Sequence, residues 1–186
     1  NWNGSAWYLD IQFTSTDIGY FCTSFGAIYK SINGGQDWSV QSTGSNTQLA
    51  KLYFVNDSTG WACGSEGRII NTTDGGANWE TQESGFDDKY LNGIYFLNQD
   101  TGFVVGEYGT YLVTYDGGEN WINYSSGSTD YSSLTFSPNG QRAYSSGGTG
   151  VFTIAPFTAP GMTYPLCAGN DKIYYYCKRP YFDNEG

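Results

Sequence analysis

Three copies of one polar word hold the side chains of this chain best suited to chemistry: Ser31-x-Asn33-x-Gly35-x-x-Trp38, Thr72-x-Asp74-x-Gly76-x-x-Trp79 and Thr114-x-Asp116-x-Gly118-x-x-Trp121. A carboxylate beside a hydroxyl can serve as a general acid or base, or as a hard-metal ligand. A structural duty accounts for the pattern more directly. An Asp or Asn side chain accepts hydrogen bonds from the amides of its own turn, and a Ser or Thr adds a further local bond. Paired glycines supply the positive φ that a tight turn between strands needs. The Trp anchors the following strand by burying a large ring. Asp74 and Asp116 therefore read as turn braces, neither catalytic acids nor metal ligands.

Composition removes other chemistries. With no histidine in the chain, the commonest general base and metal ligand is missing, and with it any His-activated Ser or Cys nucleophile. Cys22 and Cys63 lie 41 residues apart and Cys167 and Cys177 ten apart, neither of which is a metal-binding spacing. No Gly-x-x-x-x-Gly-Lys loop is present, and no cofactor is expected. Eight Lys and Arg stand against 18 Asp and Glu, a formal charge of −10. That balance repels phosphate backbones, so nucleic acid is not an expected partner. There is no basic patch for an anionic membrane surface and no apolar run of about 18 residues to span one.

The elements that must position these words follow from their spacing. Trp38, Trp79 and Trp121 are separated by 41 and then 42 residues. Each word closes a unit of four short strands joined by Gly-rich turns; in the second unit these are Leu49 to Phe54, Trp61 to Cys63, Arg68 to Asn71 and Trp79 to Gln82. Four strands per unit at a period in the 40s is the signature of a propeller blade. The 26 Gly, 17 Tyr, 11 Phe and 6 Trp suit twisted sheets and tight turns. The expected fold is all-β: one domain over residues 1–186, a β-propeller-type array of about four four-stranded blades. Three repeats are clear (7–48, 49–90 and 91–131); a degenerate fourth and a tail fill 132–186, where the word is missing after Ile154. No long helix is expected within 7–124, and the three tryptophans are expected at equivalent buried positions between blades.

The Ser/Thr-x-Asp-x-Gly-x-x-Trp word resembles the Asp-box, or bacterial neuraminidase repeat. The preceding pattern, Phe54-x5-Gly60-Trp61-x-Cys63-Gly64-x-x-Gly67-x-Ile69, is similar to repeats of the photosystem II assembly and stability factor family, found in many secreted bacterial proteins. The resemblance implies a β-propeller and no single activity, since one fold hosts many functions. Sialidases also carry Asp-boxes, but their chemistry needs an arginine cluster and a Tyr/Glu nucleophile pair. Only Arg68, Arg142 and Arg179 are present, none in an Arg-Ile-Pro setting. The functional reading is a non-catalytic binding or assembly module of an exported or cell-surface protein, with the periplasm as a further location. The alternatives are a structural repeat segment of a large surface protein and a sialidase-like glycoside hydrolase.

The expected binding residues are Phe25, Glu66, Glu107 and Tyr108, at turns whose frame repeats while the tip varies. Glycine recurs at 26, 67 and 109, and an apolar residue at 28, 69 and 111. Loops on a rigid scaffold are where recognition concentrates. Aromatic tips beside acidic ones favour a protein or glycan partner that is cationic or hydroxyl-rich. Cys22 and Cys63 align with Val105 of the third unit, so they read as small core residues without a bridge. Cys167 and Cys177 flank a hairpin around Gly169-Asn170-Asp171 and would form a disulfide in an exported protein. Asn1-Trp2 matches the close of an Asp-box and Asp183 the start of one. Ring closure and a segment of a larger propeller both explain that match.

Overall fold

A computed structural model describes residues 7–125, 127–137, 143–147 and 150–154, the last group as backbone. Fifteen strands run in order: β1 (Tyr8–Phe13), β2 (Gly19–Thr23), β3 (Ile28–Ser31), β4 (Ser39–Gln41), β5 (Leu49–Phe54), β6 (Gly60–Gly64), β7 (Ile69–Thr72), β8 (Glu80–Gln82), β9 (Leu91–Phe96), β10 (Gly102–Gly106), β11 (Tyr111–Thr114), β12 (Ile122–Asn123), β13 (Tyr131–Phe136), β14 (Ala143–Gly147) and β15 (Gly150–Ile154). They form three four-stranded antiparallel meanders and a three-stranded fourth sheet, each in chain order. Among the described residues the only helical turn is a single 3₁₀ turn at Glu107–Gly109. The fold is the expected all-β propeller array.

The first strands β1, β5, β9 and β13 pack against one another in succession and line a common axis. The last strands β4, β8 and β12 are the exposed outer edges. Between them the second strands β2, β6 and β10 are buried at every residue, and strand alternation divides their side chains between the two neighbours. Tyr20 and Cys22 face blade 2, Trp61 and Cys63 face blade 3, and Phe103 and Val105 face blade 4. Tyr20 stacks on Phe54 at 3.8 Å between ring centroids, and Trp61 on Phe96 at 3.5 Å. Each of these two rings also reaches the next blade's Asp-box: Tyr20 Oη donates to the Gly75 carbonyl (3.1 Å), Trp61 Nε1 to that of Gly117 (2.8 Å). Phe103 has no donor at the same position, and the unit it packs on has no Asp-box word.

Every pairing of a first with a second strand slips by one residue, at Leu9, Ala50, Asn92 and Ser132. Strict strand alternation would put Leu9 on the side of Ile11 and Phe13; the bulge breaks it, and Leu9 turns with Asp10 toward blade 2. Asp10 Oδ2 accepts the Leu52 amide (3.1 Å), while Gln12 accepts from Phe54 N (2.8 Å) and donates to Phe54 O (2.9 Å). These side chains satisfy an inner strand whose axial edge has no ladder partner.

The Asp-box turns behave as braces. In blade 2 the Thr72 hydroxyl donates to Asp74 Oδ1 (2.8 Å) and accepts from Gly76 N (2.9 Å). Asp74 accepts from the Asn78 amide (2.9 Å) and the Asn78 side chain (2.7 Å). These donors, the Asn78 amide first, hold the Asp74 carboxyl down at about 2. Thr114, Asp116 and Asn120 repeat the arrangement. Blade 1 reverses it: Asn33 stands where Asp74 does, Asp37 stands where Asn78 does, and Asn33 Nδ2 donates to Asp37 Oδ2 (2.9 Å). One carboxylate and one carboxamide are kept in each turn with their places exchanged. Asn33→Asp therefore sets two carboxylates against each other and is expected to cost about 1 kcal/mol in urea unfolding. Adding Asp37→Asn rebuilds the blade 2 pair and should recover most of that loss. Additive losses in the double variant would contradict the exchange.

Trp38, Trp79 and Trp121 are equivalent, but half-buried rather than buried. Each leans edge-on against the inner-strand phenylalanine of its own blade: Phe13 at 5.9 Å, Phe54 at 5.9 Å and Phe96 at 6.1 Å. They open the outermost strand, where one flank of the ring stays wet. Cys22 and Cys63 are buried free thiols, and burial pushes Cys22 up to about 12 and Cys63 well above its ordinary value. The Cys167–Cys177 bridge, the tail hairpin and the match between Asn1-Trp2 and Asp183 lie outside the described residues.

Candidate binding face

The turns after the second strands gather at the end of the array where the first strands begin. Ser24 N donates to Trp7 O (2.9 Å), Ser65 N to Gln48 O (3.1 Å) and Glu107 N to Tyr90 O (3.0 Å). Trp7, Gln48 and Tyr90 each immediately precede their blade's first strand. Neighbouring starts also touch, through the Gln48 amide and the Tyr90 hydroxyl. The turns therefore share one face.

Blades 2 and 3 use the same tight hairpin turn. Arg68 N bonds Ser65 O and Thr110 N bonds Glu107 O, both at about 3 Å. Both central residues have positive φ: Glu66 58° with Gly67 62°, and Tyr108 53° with Gly109 70°. This is the geometry that favours Asn-Gly. Blade 1 closes one residue earlier, with Gly26 N on Thr23 O (3.1 Å), and Phe25 avoids the left-handed region. The repeated glycine has a second cause that the sequence conceals. The chain linking each blade to the next crosses directly beneath it: Gly67 N donates to Lys89 O (2.7 Å) and Gly109 N to Thr129 O (2.7 Å). A Cβ on Gly67 would fall 2.1 Å from Phe86 O.

The predicted site residues separate into two groups. Phe25, Glu66 and Tyr108 are exposed tips. Glu107 is the counterpart of Ser24 and Ser65, half-buried, with its carboxylate turned back to the Tyr90 amide (3.3 Å). That contact braces the turn, as does the bond from the Tyr108 amide to Asp130 Oδ1 (2.8 Å). The face also holds groups the sequence did not single out. Trp7 is 74% exposed beside the Ser24 turn, and Lys89 Nζ sits 4.5 Å from the Tyr108 ring centroid. Asp87, Asp88 and Asp130 are exposed on the interblade connections. The position before each first strand repeats at Trp7, Gln48, Tyr90 and Asp130, a 40-to-42-residue spacing that could have marked Trp7 in advance. Arg68 lies beneath the face, 9% exposed, donating to the Thr43 and Thr47 carbonyls and holding the interblade connection. A guanidinium so engaged is not placed to clamp a substrate carboxylate. Arg142 and Arg179 lie outside the described residues.

Residues 42–129 match the family model described as photosynthesis system II assembly factor YCF48. That stretch carries repeats similar to those of the BNR/YCF48 β-propeller family. A solved structure of YCF48 bound to D1 peptide is similar over 85% of this chain and 51% of that one, at 22% identity and a TM-score of 0.66. YCF48 from Cyanidioschyzon merolae is similar over 85% of this chain and 56% of that one, at 20% identity and 0.65. An ancestral GH74 enzyme is similar over 78% of this chain and 22% of that one, at 20% identity and 0.64. The chain thus spans about half the length of the YCF48 structures it matches. At these identities the structural likeness establishes the fold. No curated protein sequence matches the chain significantly.

Proposed function

We propose that this BNR/YCF48-type array is a non-catalytic binding or assembly module that holds a basic polypeptide segment on the face bearing Phe25, Glu66 and Tyr108. The observation that carries the reading is the backbone at the tips. Glu66 and Tyr108 occupy left-handed conformations costing about 1 kcal/mol each, and their side chains project into solvent. A turn built only to reverse the chain would carry Asn or Gly there. Exposed Trp7, Phe25 and Tyr108 offer flat apolar contact, while Glu66, Asp87, Asp88 and Asp130 give the face its negative charge. Binding of D1 peptide by a YCF48 structure favours a polypeptide over a glycan as the partner class. The non-catalytic reading is supported by the axis: among the described first strands Asp10 is the only carboxylate, and it pairs with Lys51 at 3.2 Å. An exported or cell-surface setting is part of the proposal and rests on the low charged fraction of 14% and the repeat type.

The test separates recognition from turn stability. Phage-displayed random peptides are selected on the wild-type chain, and the enriched sequences are measured against Phe25→Ala, Glu66→Asn and Tyr108→Asn combined. Asn relieves the left-handed strain, so thermal stability should rise or hold. Affinity for the selected peptides, expected to be rich in Lys and Arg, should fall tenfold or more. Undiminished affinity in this variant would remove the face from consideration.

A further inference from the structure

Blade 1 holds a labile dipeptide that the Asp-boxes of blades 2 and 3 avoid. The exchange of Asn33 with Asp37 places a carboxamide directly before a glycine, at Asn33-Gly34. The carboxamides of blades 2 and 3 stand before tryptophan instead, at Asn78-Trp79 and Asn120-Trp121. A backbone amide can attack the side-chain carbonyl of the residue before it. A following glycine, lacking Cβ, leaves that approach open, whereas a following Trp crowds it. The carboxylates that precede Gly75 and Gly117 are poor targets for the same attack, and the Asp74 carboxyl, held down at about 2, stays ionised.

Both reacting groups are tied down in the closed turn. Gly34 N, the nucleophile, donates to Asp17 O (2.9 Å). Asn33 Nδ2, the leaving nitrogen, donates to Asp37 Oδ2 (2.9 Å). Asn33 Oδ1 accepts from the Asp37 amide (2.9 Å) and the Ser31 hydroxyl (3.0 Å). The cover is thin, however. Gly34 and Asp37 are exposed and Asn33 is only half-buried, so the turn can open locally without unfolding the blade. The other Asn-Gly pair among the described residues, Asn92-Gly93, lies inside β9 with Gly93 buried and paired with Val105. It opens only with its sheet.

We propose that Asn33 is a site of spontaneous, irreversible modification, reached when the blade 1 Asp-box turn opens. Gly34 N bonds to Asn33 Cγ, the Cγ–Nδ2 bond breaks, and Nδ2 leaves as ammonia with the proton of the Gly34 amide. Water then opens the cyclic imide at one of its two carbonyls. The product is Asp, or the isomer whose backbone runs through the side-chain carbonyl carbon. Neither product restores the donor to Asp37, and each adds a negative charge beside it. The turn therefore cannot re-form its side-chain bond, and blade 1 ages by one defined chemical event. The proposal is independent of what the turn face binds.

Peptide mapping by mass spectrometry, on the full chain aged in mildly alkaline buffer, tests it at residue 33. In the native chain Asn33 should convert about tenfold or more slowly than in the same chain held in urea, yet faster than Asn92 or Asn78. Asp37→Ala removes the charge-assisted bond to Nδ2 and should speed conversion about tenfold with unchanged near-ultraviolet circular dichroism. Asn33→Asp combined with Asp37→Asn moves the carboxamide to a place before Trp38. That double variant should keep the fold and show no conversion at either position. Converted wild-type chain should unfold at lower urea concentration than unconverted chain. Equal rates in native and urea-held chain would overturn the proposal, since the turn would then guard nothing. So would an Asp37→Ala rate equal to wild type, or an Asn33 that outlasts Asn78 and Asn92.

Discussion

Trp61→Ala should lower unfolding free energy by about 3–5 kcal/mol, the range for deleting a large buried aromatic. The ring is 1% exposed and lies almost parallel to Phe96, 9° between planes. It fills the blade 2–3 junction among Cys63, Leu91, Ile94 and Leu112. Its removal leaves a cavity between two sheets that cannot collapse without disturbing both registers. For a domain of this size the loss corresponds to a fall of roughly 10 °C or more in Tm. Trp61→Phe separates packing from hydrogen bonding. It keeps a ring against Phe96, and the Gly117 carbonyl retains the Gln82 amide at 2.9 Å. Its cost is therefore expected at about 1 kcal/mol, as the natural Phe103 at the following junction suggests. Urea unfolding of the two variants checks both values, and near-equal losses would show that the hydrogen bond, not the stack, holds the junction.

Gly67→Ala should cost about 3 kcal/mol, from two separable causes. The backbone φ of +62° is unfavourable for any side chain by about 1 kcal/mol. The new Cβ would also meet Phe86 O at 2.1 Å and Phe86 C at 2.6 Å. Both are backbone atoms of the connection to blade 3, so relief requires moving that connection, an overpacking penalty of about 1–3 kcal/mol. Gly85→Ala is the control: its φ is +80° and its Cβ would meet nothing within 4 Å. It should lose only the conformational part, about 1 kcal/mol. Equal destabilisation of the two variants would remove the steric cause. Because the connection carries Asp87 and Asp88 onto the candidate face, Gly67→Ala is also expected to weaken peptide binding there.

Much of the blade was legible in the residues. Strand positions, turns and the equivalence of repeats follow from alternation, paired glycines and the Asp-box word, all of which act within a few residues. The bracing role of Asp74 and Asp116 could be read for the same reason, since donor and acceptor lie at most four residues apart. The exchange of Asn33 and Asp37 was visible only once the side-chain bond between them was seen, because either residue alone fits a turn.

What the sequence determined by itself was therefore local: an acidic, histidine-free, all-β repeat whose turn chemistry fixes where each strand begins and ends. Tertiary structure decided the rest. It brought the interblade connections beneath Gly26, Gly67 and Gly109, turned Glu107 inward to cap Tyr90, and set Lys89 on the Tyr108 ring. It left Trp38, Trp79 and Trp121 half-wet by placing their strands at the outer edge, and left Ile11 and Phe13 exposed among the described residues. The physical reason is the reach of the forces involved. Hydrogen bonds within a turn are settled by the residues of that turn. Burial depends on which surfaces arrive from tens of residues away, and neither composition nor period states which blade covers which.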